Sequence, residues 1–147
     1  MSQSGQPEGL KIHPIHLLSI AVKELYIRAN KPPFGDVGLE DNNKFLLATG
    51  SSGYDEQNCE VTVGIKVEVG LDEKEDAPFS MRIELIGQFK VDESQFPKEH
   101  VNDWARRNAP YILMPYVREQ AYALTTRCGF RPMLIPLTQV PSYSIKK

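Results

Sequence analysis

From Glu60 to Val69 every second residue is a β-branched aliphatic. Val61, Val63, Ile65, Val67 and Val69 are separated by Thr62, Gly64, Lys66 and Glu68. Successive side chains of an extended chain point to opposite faces, so this pattern makes a strand with one apolar and one polar side. Phe79, Met81, Ile83, Leu85, Phe89 and Val91 repeat it, with Ser80, Arg82, Glu84 and Lys90 between them. The acidic connection of residues 71–78 is short, and two long strands so joined form an antiparallel hairpin. Gly87 breaks the second alternation and predicts a bulge there.

The rest of the chain must cover that apolar face. The period turns helical after Phe96. Pro97 to Arg107 reads as a short helix with Val101, Trp104 and Ala105 on one side. Asn108 is placed to cap a longer helix, and Pro110 falls where no intrahelical donor is needed. Ile112, Leu113, Tyr116, Val117, Ala121 and Leu124 form its apolar stripe, with Leu113 and Tyr116 expected in the core. Pro115 should bend the axis or delay its regular start. Gly129 is the C′ residue that stops the helix. Pro132, Pro136 and Pro141 then forbid a regular helix. Upstream, residues 30–43 form a loop carrying an exposed aromatic, Phe34. Residues 44–49 suit a short strand and residues 50–53 a turn. Residues 13–29 are ambiguous. Ile15, Leu18, Val22 and Leu25 have helical spacing. Leu18, Ile20 and Val22 alternate, and Leu25 and Ile27 alternate in the opposite phase, which a strand could accommodate only with a bulge or two apolar sides. Strands first and helices last argue for α+β, an antiparallel sheet covered on one face by the long helix.

The 147 residues, 41% of them apolar, suit one domain spanning residues 10–147 behind a disordered tail at residues 1–9. With 17 Lys and Arg against 19 Asp and Glu, there is no basic footprint for nucleic acid. The first nine residues lack the basic and apolar regions of a signal peptide, and no apolar run approaches the roughly 20 residues of a membrane span. The expected location is the cytoplasm. Cys59 and Cys128 make neither a disulfide framework nor a zinc site. His13 and His16 have no third ligand near them in sequence. Gly50 to Gly53 lacks the lysine of a phosphate loop, and the acidic residues 72–76 lack the length and central glycine of a calcium loop. Nothing calls for a cofactor or catalytic group, so an enzyme is not expected.

The segment from Asn108 to Glu119 (NAPYILMPYVRE) resembles the SecB family of protein-export chaperones. Thr126 to Pro136 (TRCGFRPMLIP) continues the likeness, with Cys128 for a small residue and Arg131 inserted before the proline. Lys23 to Arg28 (KELYIR), followed by the proline loop, resembles the family's first strand. The resemblance implies a four-stranded antiparallel sheet under the long helix, with residues 17–29 as a strand. It implies a homotetramer, a dimer of dimers, that holds unfolded polypeptides, preproteins for export among them. Its peptide grooves would involve Phe34 after the first strand and Phe130, Met133, Leu134 and Ile135 after the long helix. For Leu134 and Ile135, groove and core stand as equal alternatives. Glu24 matches one of the acidic side chains that family members present to the SecA motor, and Arg28 reverses the charge where a second would stand. The tail from Thr138 to Lys147 replaces the family's second long helix. A SecB-like adaptor dedicated to one partner, such as an antitoxin, is therefore the alternative. A third class, a small-molecule binder, would need an enclosed pocket with convergent polar groups.

Overall fold

Val61, Val63, Ile65, Val67 and Val69 all lie on one side of the sheet and are at most 2% exposed, whereas their polar neighbours are half-buried on the other side. The computed structural model describes residues 9–72 and 76–137, so the expected tail at residues 1–9 lies, apart from Gly9, outside the described residues. Four strands, β1 (Ile15–Ala29), β2 (Leu46–Ser51), β3 (Glu60–Val69) and β4 (Phe79–Val91), precede two helices, α1 (Val101–Arg107) and α2 (Ala109–Arg127). A 3-10 turn at Lys98–His100 leads into α1. The sheet order is β1-β4-β3-β2, every neighbouring pair antiparallel. This is the α+β architecture expected, with β3 and β4 as the central hairpin and β1 and β2 as the edges.

The ambiguous segment is a strand, and two register shifts against β4 reconcile its conflicting phases. One lies between Leu17 and Ser19, the other between Val22 and Glu24. Each shift moves the chain by one residue. Ile15 and Leu17, then Ile20 and Val22, then Leu25 and Ile27 all come to pair with helix-side residues or Gly87 of β4. The helical spacing in this stretch is thus the trace of two bulges on one strand.

The helices lie across the side formed by Val61 to Val69 and Phe79 to Val91. Leu113, Val117 and Ala121 of α2 and Val101 and Ala105 of α1 are fully buried there. Gly87 keeps regular pairing with both Ile20 and Val63, so the bulge predicted in β4 is absent and the irregularities sit in β1. The glycine answers a different need. A Cβ on it would stand 2.7 Å from Leu113 Cδ2, so its absence allows α2 to approach the sheet. Leu113 is core as expected, but Tyr116 is 42% exposed because it lies on the face of α2 turned away from the sheet.

The start of α2 differs from expectation. Asn108 makes no side-chain cap bond. It ends α1 by donating its N–H to Trp104 O, and its own carbonyl accepts from Tyr111 N. Its backbone is therefore helical (φ −109°, ψ −40°) rather than extended, so its side chain is not aimed at the free amides. Pro115 lies within a continuous α2. At the other end Gly129 (φ +88°) closes the helix as predicted, with Gly129 N bonded to Thr126 O and Phe130 N to Thr125 O. Those two bonds define a Schellman motif, which only a residue tolerant of positive φ closes cheaply. No helix among the described residues is long and apolar enough to cross a membrane.

Candidate functional site

The segment after α2 is fixed to the core at alternate residues. Phe130 packs its ring on Phe79, with centroids 5.1 Å apart. Met133 N donates to the buried Thr125 hydroxyl at 3.0 Å. The Arg118 guanidinium reaches from α2 to the carbonyls of Ile135 (3.2 Å) and Pro136 (3.4 Å). Phe130, Met133 and Ile135 are buried, whereas Leu134 is 60% and Leu137 86% exposed. Met133, Leu134 and Ile135 alternate in burial as an extended chain does, although all three are apolar and no pattern in the sequence separates Leu134 from its neighbours.

The loop after β1 arrives beside this segment. Asn30 N and Lys31 N both donate to Pro78 O, and the Asn30 amide donates to the Ser80 hydroxyl. Lys31 pairs with Asp76 at 3.0 Å. Arg131 N donates to Val37 O, and its guanidinium donates to Leu39 O at 2.7 Å and sits 3.3 Å from the Asp36 carboxylate. Phe34, between Pro33 and Gly35, is 84% exposed. Beneath the loop lies an open cavity of about 800 Å³ lined by Lys31, Asp36, Glu40, Lys44, Asp76 and Arg131 among others. Its lining is charged, whereas Phe34 on one segment and Leu134 and Leu137 on the other stand in solvent.

The sheet's other side is open and charged. Arg82 on β4 bonds Glu24 on β1 at 3.1 Å and lies 3.7 Å from Glu68 on β3. Lys23 pairs with Glu84 and Lys66 with Glu68. Each of these carboxylates thus has a cation beside it. Arg28 is exposed, opposite Ser80. Glu24 and Arg28 therefore share a face with an ion-pair lattice, away from Phe34 and Leu134.

The remaining polar chemistry is structural. The Tyr54 hydroxyl donates to Glu93 at 2.6 Å, and burial together with that bond holds its pKa above the ordinary phenol range. Tyr54 N donates to Asn102, tying the turn before β3 to α1. The Cys59 thiol lies 3.6 Å from Glu93. His13 lies against Trp104 and Phe96, and its Nδ1 accepts from Ile15 N. Among the described residues no three His, Cys, Asp or Glu side chains gather as metal ligands would.

A four-stranded antiparallel sheet in which β1 crosses over to pair with β4, covered on one side by one long helix, defines an α+β protein of Greek-key topology. Residues 14–140 match the family model described as preprotein translocase subunit SecB, and the chain belongs to the SecB family. It is 26% identical over 136 residues to the protein-export protein SecB of Magnetococcus marinus, covering 92% of this chain and 85% of that one. It is 34% identical over 101 residues to the SecB of Acidithiobacillus ferrooxidans, covering 69% of this chain and 61% of the relative. Among solved structures, the Mycobacterium tuberculosis SecB-like chaperone in complex with a ChAD peptide from an antitoxin superposes with a TM-score of 0.63. The match covers 88% of this chain and 94% of that one at 14% identity, a likeness of fold. The family is one of export chaperones, not enzymes.

Proposed function

We propose that the protein acts as a holdase that binds preproteins and other non-native polypeptides in the cytoplasm through Phe34, Leu134 and Leu137. The observation that carries this reading is that these large apolar side chains stand in solvent on segments that hydrogen bonds tie to the core. Covering one such side chain is worth about 1.5–3 kcal/mol gross, and ordering of the bound chain removes part of it. A single protomer therefore binds weakly, and several protomers engaging one long chain multiply the effect through effective concentration. Assembly into a dimer of dimers suits the uncovered outer sides of the molecule. Val22 and Leu25 are exposed along the free edge of β1, and Ile112, Tyr116 and Tyr122 on the outside of α2. A folded client hides its apolar segments, which is sufficient for discrimination.

A second reading, an adaptor dedicated to one partner such as an antitoxin, is favoured by the open face of the sheet. Glu24 is neutralised by Arg82, and Arg28 adds a positive charge, so Glu24 offers no uncompensated negative charge there to a translocation motor such as SecA.

Titration with a fluorescent, permanently unfolded polypeptide, beside the same polypeptide folded, separates the two. Binding of the unfolded form alone supports the holdase. Binding of neither sinks it and favours the dedicated adaptor. Phe34→Ser with Leu134→Ser should weaken binding of the unfolded form by about tenfold while leaving thermal stability nearly unchanged, since neither residue is buried.

A further inference from the structure

We infer that Arg131 is the positioning residue of the peptide-binding surface: it pins the 36–39 turn to the segment after α2 and thereby holds Phe34 in place to meet a bound chain. This rests on the holdase reading. Among the described residues, every hydrogen bond made by residues 32–40 has Arg131 as its partner. Its N–H donates to Val37 O at 2.7 Å, and its guanidinium donates to Leu39 O at 2.7 Å and approaches Asp36 O at 3.4 Å. Nη1 also lies 3.3 Å from the Asp36 carboxylate. The two segments touch closely, since a Cβ on Gly38 would stand 2.8 Å from Arg131 Cβ.

The carbonyl bonds, not the charge, carry the contact. The Asp36 side chain is 84% exposed, and an ion pair so hydrated contributes little. A planar fork with several N–H donors can serve two carbonyls of one turn together, which a lysine ammonium on its flexible stem does not reproduce. Without the fork the turn keeps a single polar anchor, the backbone bond from Arg131 N to Val37 O, and Phe34 sits only two residues before Asp36. Exposed as Phe34 is with the clamp closed, the clamp presents it rather than hides it. Release would therefore add an ordering cost to every binding event, because the loop would have to be fixed when the peptide arrives.

Hydrogen exchange and peptide titration on the full chain test this. Arg131→Ala should speed exchange of the amides of residues 33–40 while those of β3 and β4 stay protected. It should weaken binding of the unfolded polypeptide by about five- to tenfold. In a Phe34→Ser background the same substitution should weaken it no further. Arg131→Lys should behave like Arg131→Ala, and Asp36→Asn like the wild type. Should Arg131→Ala fail to fold, Arg131→Lys is read in the same way. Unchanged exchange, unchanged affinity, full rescue by lysine, or equal weakening in both Phe34 backgrounds overturns the inference alone. A wild-type protein that binds no unfolded chain overturns the holdase reading and this inference with it.

Discussion

Leu113 on α2 occupies the space that a side chain on Gly87 of β4 would need: Leu113 Cδ2 would be 2.7 Å, and Cδ1 3.3 Å, from a Cβ at that position. Alanine normally stabilises a strand relative to glycine by about 0.5–1 kcal/mol, because glycine has more backbone freedom to lose. Here the contact sets the opposite sign. Gly87→Ala should destabilise by about 1–3 kcal/mol, the usual cost of overpacking a filled core. Leu113 is fully buried, so it cannot swing aside into solvent. Urea denaturation of the single variant and of Gly87→Ala with Leu113→Ala measures this. The pair should be less destabilised than the sum of the singles, because the second substitution removes the clash. A neutral or stabilising Gly87→Ala would show that the helix yields.

Among the described residues Thr125 is the polar side chain buried in the core, and its hydroxyl joins α2 to the segment that follows. Oγ1 donates to Ala121 O at 2.7 Å and accepts from Met133 N at 3.0 Å. Thr125→Val keeps the shape and removes both bonds, leaving the Met133 amide buried and unsatisfied. The expected loss is about 1–3 kcal/mol, whereas Thr125→Ser, which keeps the hydroxyl, should cost less. Chemical denaturation gives the ranking, and a valine variant as stable as the serine variant would mean that the amide finds another partner.

The central hairpin and the end of α2 are legible in the sequence because each obeys a local rule. Val61 to Val69 alternate, and Gly129 sits where positive φ is needed. Elsewhere local rules compete. The bulges of β1 mimic helical spacing, so Ile15 to Leu25 can be assigned only once β4 lies alongside. Asn108 has the composition of a cap, but the helix before it leaves its backbone helical. Gly87 signals a close approach that no neighbour in sequence explains. In the site, Phe34 stands out between proline and glycine, while Phe130, Met133, Leu134 and Ile135 share one composition and differ only in which side of an extended segment they occupy. Arg131 bonds a turn more than ninety residues upstream, and no local pattern encodes that.

Two aspartates give the fold a pH dependence of definite sign. The Asp55 carboxylate is bonded by the Asn58 side chain and by the N–H groups of Asn58 and Gln57. That of Asp92 is bonded by the Ser94 hydroxyl, the Gln95 amide and Ser94 N. These bonds, the Asn58 side chain first at Asp55 and the Ser94 hydroxyl first at Asp92, hold both pKa values below the ordinary carboxylate range. A carboxylate depressed in the folded state adds stability above its unfolded pKa of about 3.9, and that stability is lost as pH falls through the folded value. The urea midpoint should therefore drop below about pH 4. Asp92→Asn and Asp55→Asn should each flatten that drop while lowering stability at neutral pH. A slope unchanged in both variants would assign the acid sensitivity to other carboxylates.

Strand β1, 15 residues long, pairs with β4, and among the described residues no strand pairs with its other edge. A long free edge invites pairing with another chain unless charge, proline or bulges blunt it. The two bulges bend this edge, but Val22 and Leu25 between and beyond them remain 53% and 38% exposed on the helix side, where a neighbouring strand and its helix would cover them. If this edge joins protomers in the proposed dimer of dimers, Val22→Lys with Leu25→Lys should dissociate it, since like charges would face each other across the two-fold axis. Sedimentation velocity should then show a smaller species with unchanged circular dichroism. Affinity for a long unfolded polypeptide should fall with it, and affinity for a short segment should stay the same, because only the long chain gains from several linked sites. A wild type that sediments as a monomer removes the assembly itself. A variant that stays assembled moves the contact to the exposed side of α2, where Ile112, Tyr116 and Tyr122 stand.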